Sequence, residues 1–157
     1  MAQFEEITIN GKAQSGVNIK KTVGFAGPNL KEDVLLIQAL FNYIAKGMFP
    51  EMVGLGGDYK IPEVTGEMDG DTYSAIGAFQ IRNASRLLMP TFDGRIHPAS
   101  YKNRNIRNSA GRLMCITLLH IMAIDTSVMR GDHDYPQTLA HEYPELAYFL
   151  DRNLMFG

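Results

Sequence analysis

Apolar positions at the start of the chain come in short alternating pieces: Phe4, Ile7 and Ile9, then Asn10-Gly11, then Val17 and Ile19. Asn and Gly both tolerate positive φ, so this pattern predicts a small type I′ β-hairpin over the N-terminal arm. The next stretch, Val23-Gly24-Phe25-Ala26-Gly27-Pro28, is a loop by its glycines and proline. A helix is expected directly after it, with Asn29 as N-cap and Glu32 completing a capping box. Val34, Ile37, Leu40, Phe41 and Ile44 recur at three- and four-residue steps, which gives that helix one apolar face ending near Gly47.

Residues 47–65 hold six glycines and prolines in a run with little periodicity, Gly47, Pro50, Gly54, Gly56, Gly57 and Pro62, and predict a long surface loop. A second helix is expected from Asp71 to about Ser85, with Tyr73, Ile76, Phe79 and Gln80 on one side, Ala75 allowing close packing, and Asp71 suiting the helix dipole. Phe92-Asp93-Gly94-Arg95-Ile96-His97-Pro98 predicts a turn or short hairpin. A third helix, from about Ser109 to Ile124, has apolar residues all round it (Leu113, Met114, Ile116, Leu118, Leu119, Ile121, Met122) and is expected at the centre of the fold. After the polar break at Arg130-Gly131-Asp132-His133-Asp134, Pro136 and Pro144 each suit the start of a short helix. Leu139, Tyr143, Leu146, Phe149 and Leu154 are then the core-facing positions.

Composition narrows the function classes. The chain has 157 residues, 45% hydrophobic and 20% charged, with 15 Lys+Arg against 17 Asp+Glu, so its formal charge is −2. That balance argues against a strong nucleic-acid or anionic-membrane footprint. The single cysteine, Cys115, rules out an intramolecular disulfide framework and any multi-cysteine zinc site. No tract approaches the ~20 apolar residues that span a bilayer, and the start of the chain lacks the pattern of a secretory signal peptide. A cytoplasmic location, or export to the wall or periplasm by a non-Sec route, is therefore expected.

Two stretches echo each other: Val34-x-x-Ile37-Gln38-x-Leu40 and Ala75-Ile76-x-x-Phe79-Gln80. With Gly66 and Thr72 ahead of the second, and Asp93-Gly94-Arg95-Ile96-x-Pro98 after it, the order resembles the peptidoglycan-binding-like domain of bacterial and phage wall-lytic proteins. The lead-in Val23-Gly24-x-x-Gly27-Pro28-Asn29-x-x-x-Asp33-Val34 is similar to the variant found in muramidases and some type VI secretion effectors. The resemblance covers residues 23–101, about half the chain. It implies a mainly α protein, a small helical bundle of the peptidoglycan-binding-like type; the residue pattern outside it adds a hairpin arm (1–22) and a helical extension (102–157), a tail that matches no family motif and is expected to pack on the module in one compact domain. Thr65 stands where the family usually has Asp, Glu67-Met68 replaces the usual apolar pair, and the link between the first two helices is long.

The motif residues also have a scaffold explanation. The apolar ones make a shared core, Gln38 and Gln80 can bond loop backbone, Thr72 sits where a capping hydroxyl is useful, and Gly66 and Gly94 permit turns. For ligand binding, the available polar and aromatic pieces are Tyr43, Tyr73, Tyr101, Arg82 and Arg95, with Asp93 in the adjoining turn; Arg holds muropeptide carboxylates in bidentate fashion.

Other chemistries have thinner support. Glu63, Glu67, Asp69 and Asp71 are acidic residues ahead of a helix and do not make a glycosidase pair by spacing alone. Asp132, His133, Asp134 and His141 lack the helical two-His spacing of zinc hydrolases. Cys115 and His120 lie five apart, poorly placed on one helix face, and fit an inert thiol and a core histidine. Met114, Met122 and Met129 fit core filling, or an adaptable partner surface where exposed. Lys102, Arg104 and Arg107, interleaved with Asn103, Asn105 and Asn108, form the one basic stretch and read as a connector, because few aromatics accompany them. The expectation is a non-catalytic, cofactor-free and metal-free wall-binding module whose partner is peptidoglycan glycan or stem peptide. The alternative is a protein-interaction adaptor, cargo or loading component of a secretion system or phage particle; a wall hydrolase ranks third.

Overall fold

The computed structural model describes residues 3–9, 12–47, 60–84, 93–98, 115–132 and 134–146. The N-terminal arm is the expected hairpin. Strand β1 (Gln3–Ile9) pairs antiparallel with β2 (Lys12–Asn18), and the register Ile9↔Lys12 leaves a two-residue connection. At the end of β2, Val17 and Ile19 are fully withdrawn from solvent and join the main core.

The chain then enters β3 (Val23–Gly24), which pairs antiparallel with β4 (Arg95–Ile96) in the register Val23↔Ile96 and Gly24↔Arg95. The segment around Asp93 is expected to form a turn or short hairpin, and the turn is there, with φ +70 at Gly94 and Arg95 N–H donating to Asp93 Oδ1; the hairpin is not. Its strand partner lies instead some seventy residues upstream, a pairing that local periodicity does not encode.

Helix α1 (Lys31–Gly47) is the axis of the molecule, with residues 33–41 and 43–45 all buried. Its sequence shows one apolar face because Asp33 and Gln38 interrupt the pattern, yet both are buried with partners. Lys20 N–H and Lys21 N–H donate to the two Asp33 carboxylate oxygens at 3.0 and 2.9 Å, tying the hairpin exit to the first turn of α1. Burial raises the Asp33 pKa even against those two bonds. The expected Asn29 cap is corrected: Asn29 has φ +50, whereas an N-cap is extended, and the first helical bond runs from Val34 N–H to the Leu30 carbonyl. The Asn29 amide is spent on the preceding loop, accepting from Gly24 N–H at 2.7 Å and donating to the Gly24 and Gly27 carbonyls.

Helix α2 (Gly70–Ala84) packs through Ala75, Ile76 and Phe79, with Phe79 edge-on to Phe41 at a centroid separation of 5.8 Å. Its cap is Asp69: Thr72 N–H donates to Asp69 Oδ1 at 2.7 Å, so Thr72 is not the capping residue that sequence position proposes. The Thr72 hydroxyl donates to the same oxygen.

Helix α3 (Cys115–Arg130) runs alongside α1, and α4 (Tyr135–Glu142) closes the bundle; a further helical turn opens at 144–146. The expected residues 109–114 of the third helix lie outside the described residues. Its end lies six residues beyond Ile124; Thr126 and Ser127, polar in the sequence, are buried there with their hydroxyls donating to the Met122 and Ile124 carbonyls. It stops at a Schellman turn, in which Asp132 N–H reaches the Ser127 carbonyl and Gly131 N–H the Val128 carbonyl. Asp134 caps α4, and Pro136 lies in its first turn. Up to Ile124 the described side chains of α3 are buried or half-buried, as expected of an enclosed helix; Asp125, Val128 and Met129, beyond that range, stand in solvent, and α1 is enclosed along more of its length. Phe149 and Leu154 lie outside the described residues.

His120 is fully buried, with Nδ1 against the Tyr135 hydroxyl, which the Val17 backbone also hydrogen-bonds. Burial lowers the His120 pKa from 6.5 to about 4, so the folded protein keeps the ring neutral while the unfolded chain takes up a proton near 6.5. Stability is therefore lost as pH falls from 6.5 towards 4, by roughly 3 kcal/mol in total. Urea unfolding at pH 7 and pH 4.5 tests this: His120→Leu should remove most of that loss relative to the wild type, and parallel pH dependence in the two proteins would show that another group titrates.

Candidate functional site

Two glutamines organise the surface where the motif residues meet. Gln38, buried on α1, accepts from Thr65 N–H at 2.8 Å and Gly66 N–H at 2.9 Å through Oε1. Through Nε2 it donates to the Glu67 carbonyl and the Thr72 hydroxyl, both at 3.0 Å. Gln80 on α2 repeats the arrangement one helix later: Oε1 accepts from Gly94 N–H at 2.8 Å, and Nε2 donates to the Arg95 carbonyl at 2.8 Å and to Asp93 Oδ1 at 3.1 Å. Each grips a turn whose glycine has positive φ, +83° at Gly66 and +70° at Gly94.

The Gly94 turn is bound to the loop after β3. Phe25 N–H donates to the Gly94 carbonyl, and Arg95 Nε and Nη2 donate to the Phe25 and Ala26 carbonyls at 2.7 and 3.2 Å. Asp93 Oδ2 lies 2.8 Å from His97 Nε2, and Thr22 Oγ1 lies 3.1 Å from His97 Nδ1. Partial burial pushes the Asp93 pKa up, but bonds from His97, Gln80 and the Arg95 N–H outweigh it and hold the carboxyl below its usual value. An ionised Asp93 only accepts, so His97 Nε2 carries a proton, and in the neutral ring Nδ1 accepts from the Thr22 hydroxyl.

Of the residues singled out from sequence, Asp93 and Arg95 fall together on this turn. Arg95 already gives two of its donors to loop carbonyls, so it acts first as a buttress. Tyr73 is partly exposed on α2, seven residues or about 10 Å along the axis from Gln80. Arg82 is nine residues from Tyr73, two and a half turns, and so leaves the opposite side of the helix. Tyr101 lies outside the described residues, as does the basic stretch 102–108. Tyr43 is fully buried, its hydroxyl donating to Asp132 Oδ2 at 2.6 Å, and is not available to stack on a sugar.

Sequence reasoning missed Phe25, the most exposed large aromatic among the described residues at 69%. Its signal was its position between Gly24 and Gly27, in a loop with no periodicity to bury it.

The other candidates have structural work. Asp132 holds Tyr43 and lies 3.4 Å from Arg130 Nε; Arg130 also pairs with Glu142 and stacks 4.6 Å over the Tyr43 ring. Asp134 and Asp69 are helix caps. His133 lies outside the described residues, and among those described no group of three or more His, Cys, Asp or Glu is placed to hold a metal ion. A cleft of about 120 Å³ lined by Val64, Glu142, Tyr143, Pro144 and Glu145 is well below the roughly 300 Å³ at which small-molecule pockets begin.

Replacing Gln38 by Leu strands two backbone N–H groups, one of them buried, and should cost about 3 kcal/mol; Gln80→Leu strands one and should cost roughly 2 kcal/mol. Urea unfolding measures both, and a loss under about 1 kcal/mol in each would show that the turns hold without their clamps. Gly24→Ala would bring a Cβ to 2.1 Å from the Gly94 carbonyl oxygen at φ +122. It should cost on the order of 3 kcal/mol in the same assay, and a near-neutral result would mean that the β3–β4 pairing yields easily.

Compared with known proteins, the chain matches no family model, no curated protein and no solved structure.

Proposed function

We propose that this chain is a non-catalytic peptidoglycan-binding module of a bacterial or phage system, which retains an associated activity at the cell wall. The observation that carries the reading is the paired clamp, Gln38 on the Gly66 turn and Gln80 on the Gly94 turn. The two motifs that resemble the peptidoglycan-binding-like family thus perform one structural task twice, which supports their being a true repeat. A site of retention has its pieces at the second clamp, where Asp93, Arg95 and the exposed ring of Phe25 meet. No helix among the described residues is long and apolar enough to cross a membrane.

A second reading, an adaptor or loading component of a secretion system or phage particle, is favoured by a different place. Val128 and Met129 stand 75% and 62% exposed at the end of α3, adjacent apolar side chains of the kind a protein partner covers.

Sedimentation with purified sacculi separates the readings. Saturable pelleting across a salt series, beyond an unrelated acidic protein, is the expected result. Arg95→Ala should reduce it by loosening the Phe25 turn, whereas Met129→Ala should leave it unchanged. Absence of pelleting by the wild type would end the wall-binding reading and direct the search to a protein partner at Val128 and Met129.

A further inference from the structure

The segment from Lys20 to Lys31 combines three features that the repeat does not require. Phe25 is displayed in solvent, yet the backbone that displays it is firmly held. Ala26, a non-glycine residue, takes φ +55, and the turn is fixed by the Arg95 guanidinium on two consecutive carbonyls, by Phe25 N–H on the Gly94 carbonyl and by the Asn29 amide. Left-handed backbone at an ordinary residue costs about 1 kcal/mol or more and persists only where its surroundings enforce it. An exposed aromatic on such a turn is prepared for contact, because its ordering cost is already met before any ligand arrives.

The second feature is charge. Lys20, Lys21 and Lys31 are exposed, the segment 20–31 contains no carboxylate, and among the described residues none of the three lysines forms an ion pair. Of the carboxylates beside this segment, Asp33 is buried on the Lys20 and Lys21 amides and Asp93 is held by His97, while Glu32 follows Lys31 in the first turn of α1. The third feature is position. The Lys20 and Lys21 backbones are pinned by Asp33, and Lys20 is five residues, at most about 17 Å of extended chain, from Phe25.

We infer that this segment is a contact for an anionic saccharide, in which the Phe25 ring stacks on the C–H face of a pyranose and Lys20, Lys21 and Lys31 hold carboxylates of the same polymer. The negative face of the aromatic ring attracts the weakly positive C–H hydrogens of the sugar, and the ammonium groups supply the charge that selects an acidic chain over a neutral one. The inference rests on the wall-binding reading above and adds the chemistry that is recognised.

The test compares intact sacculi with sacculi whose carboxylates have been amidated. For the wild type, amidation should weaken pelleting about tenfold; Phe25→Ala should weaken binding to both preparations by a similar factor, equivalent to about 1.4 kcal/mol. The triple variant Lys20→Gln, Lys21→Gln, Lys31→Gln should bind intact sacculi as weakly as the wild type binds amidated ones, and should not respond to amidation. Circular dichroism on each variant confirms that the fold is kept. Wild-type pelleting that is indifferent to amidation and to both variants would overturn this inference and leave the wall-binding reading standing. No wild-type pelleting would overturn both, and sedimentation with phosphatidylglycerol vesicles alone would replace the saccharide with a membrane surface.

Discussion

The buried amide of Gln38 is the constraint on which the rest of the molecule depends. A helix at the centre of a bundle must be covered on every side, and the chain that covers α1 near Gly66 is loop, whose peptide groups have no ladder to satisfy them. One side chain with two acceptor lone pairs and two donor hydrogens meets that need in both directions, accepting from Thr65 and Gly66 while donating to Glu67 and Thr72. Thr72 in turn is tied to Asp69, the cap of α2. The position of the second helix against the first therefore follows from a hydrogen-bond chain as much as from the apolar contact of Phe41 with Phe79.

The same arrangement at Gln80 fixes the Gly94 turn, and the consequences reach the surface. With the Asp93 to Arg95 backbone held, β4 is presented to β3, Arg95 is aimed at the loop beyond it, and Phe25 is left in water. In this molecule the polar interior positions the exposed face, through hydrogen bonds to backbone groups that sit beside the core contacts of Val23 and Ile96.

Much of this was legible in the residues, and the limits have physical causes. The hairpin, α1 and α2 lie close to where alternation and three-to-four spacing place them, because those periods reflect which side faces the core. The roles of Gln38 and Gln80 were also readable, since a buried amide beside a glycine turn has few other uses. Three features were hidden. Asn29 looks like a cap, but its amide has a better use inside a tight loop where φ is positive. The burial of α1 on all sides was masked by Asp33 and Gln38, polar residues whose partners are distant in sequence. The β3–β4 pairing joins residues about seventy positions apart, and nothing local announces it. At the candidate site, Asp93 and Arg95 came together as their two-residue separation implies, Tyr73 and Arg82 were divided by helical phase, and Phe25 had no periodic pattern to draw attention to it.

The chain that leads into α2 is anchored to α1 at two successive turns of that helix. Asn42 Nδ2 donates to the Pro62 carbonyl at 2.6 Å, close to the Gln38 clamp, so the returning chain is fastened to α1 whatever precedes it. Gln38 and Asn42 stand one turn apart on α1, and the Asn42 amide also donates to the Gln38 carbonyl, so the approach to α2 is steered by two amide side chains that the central helix itself orients.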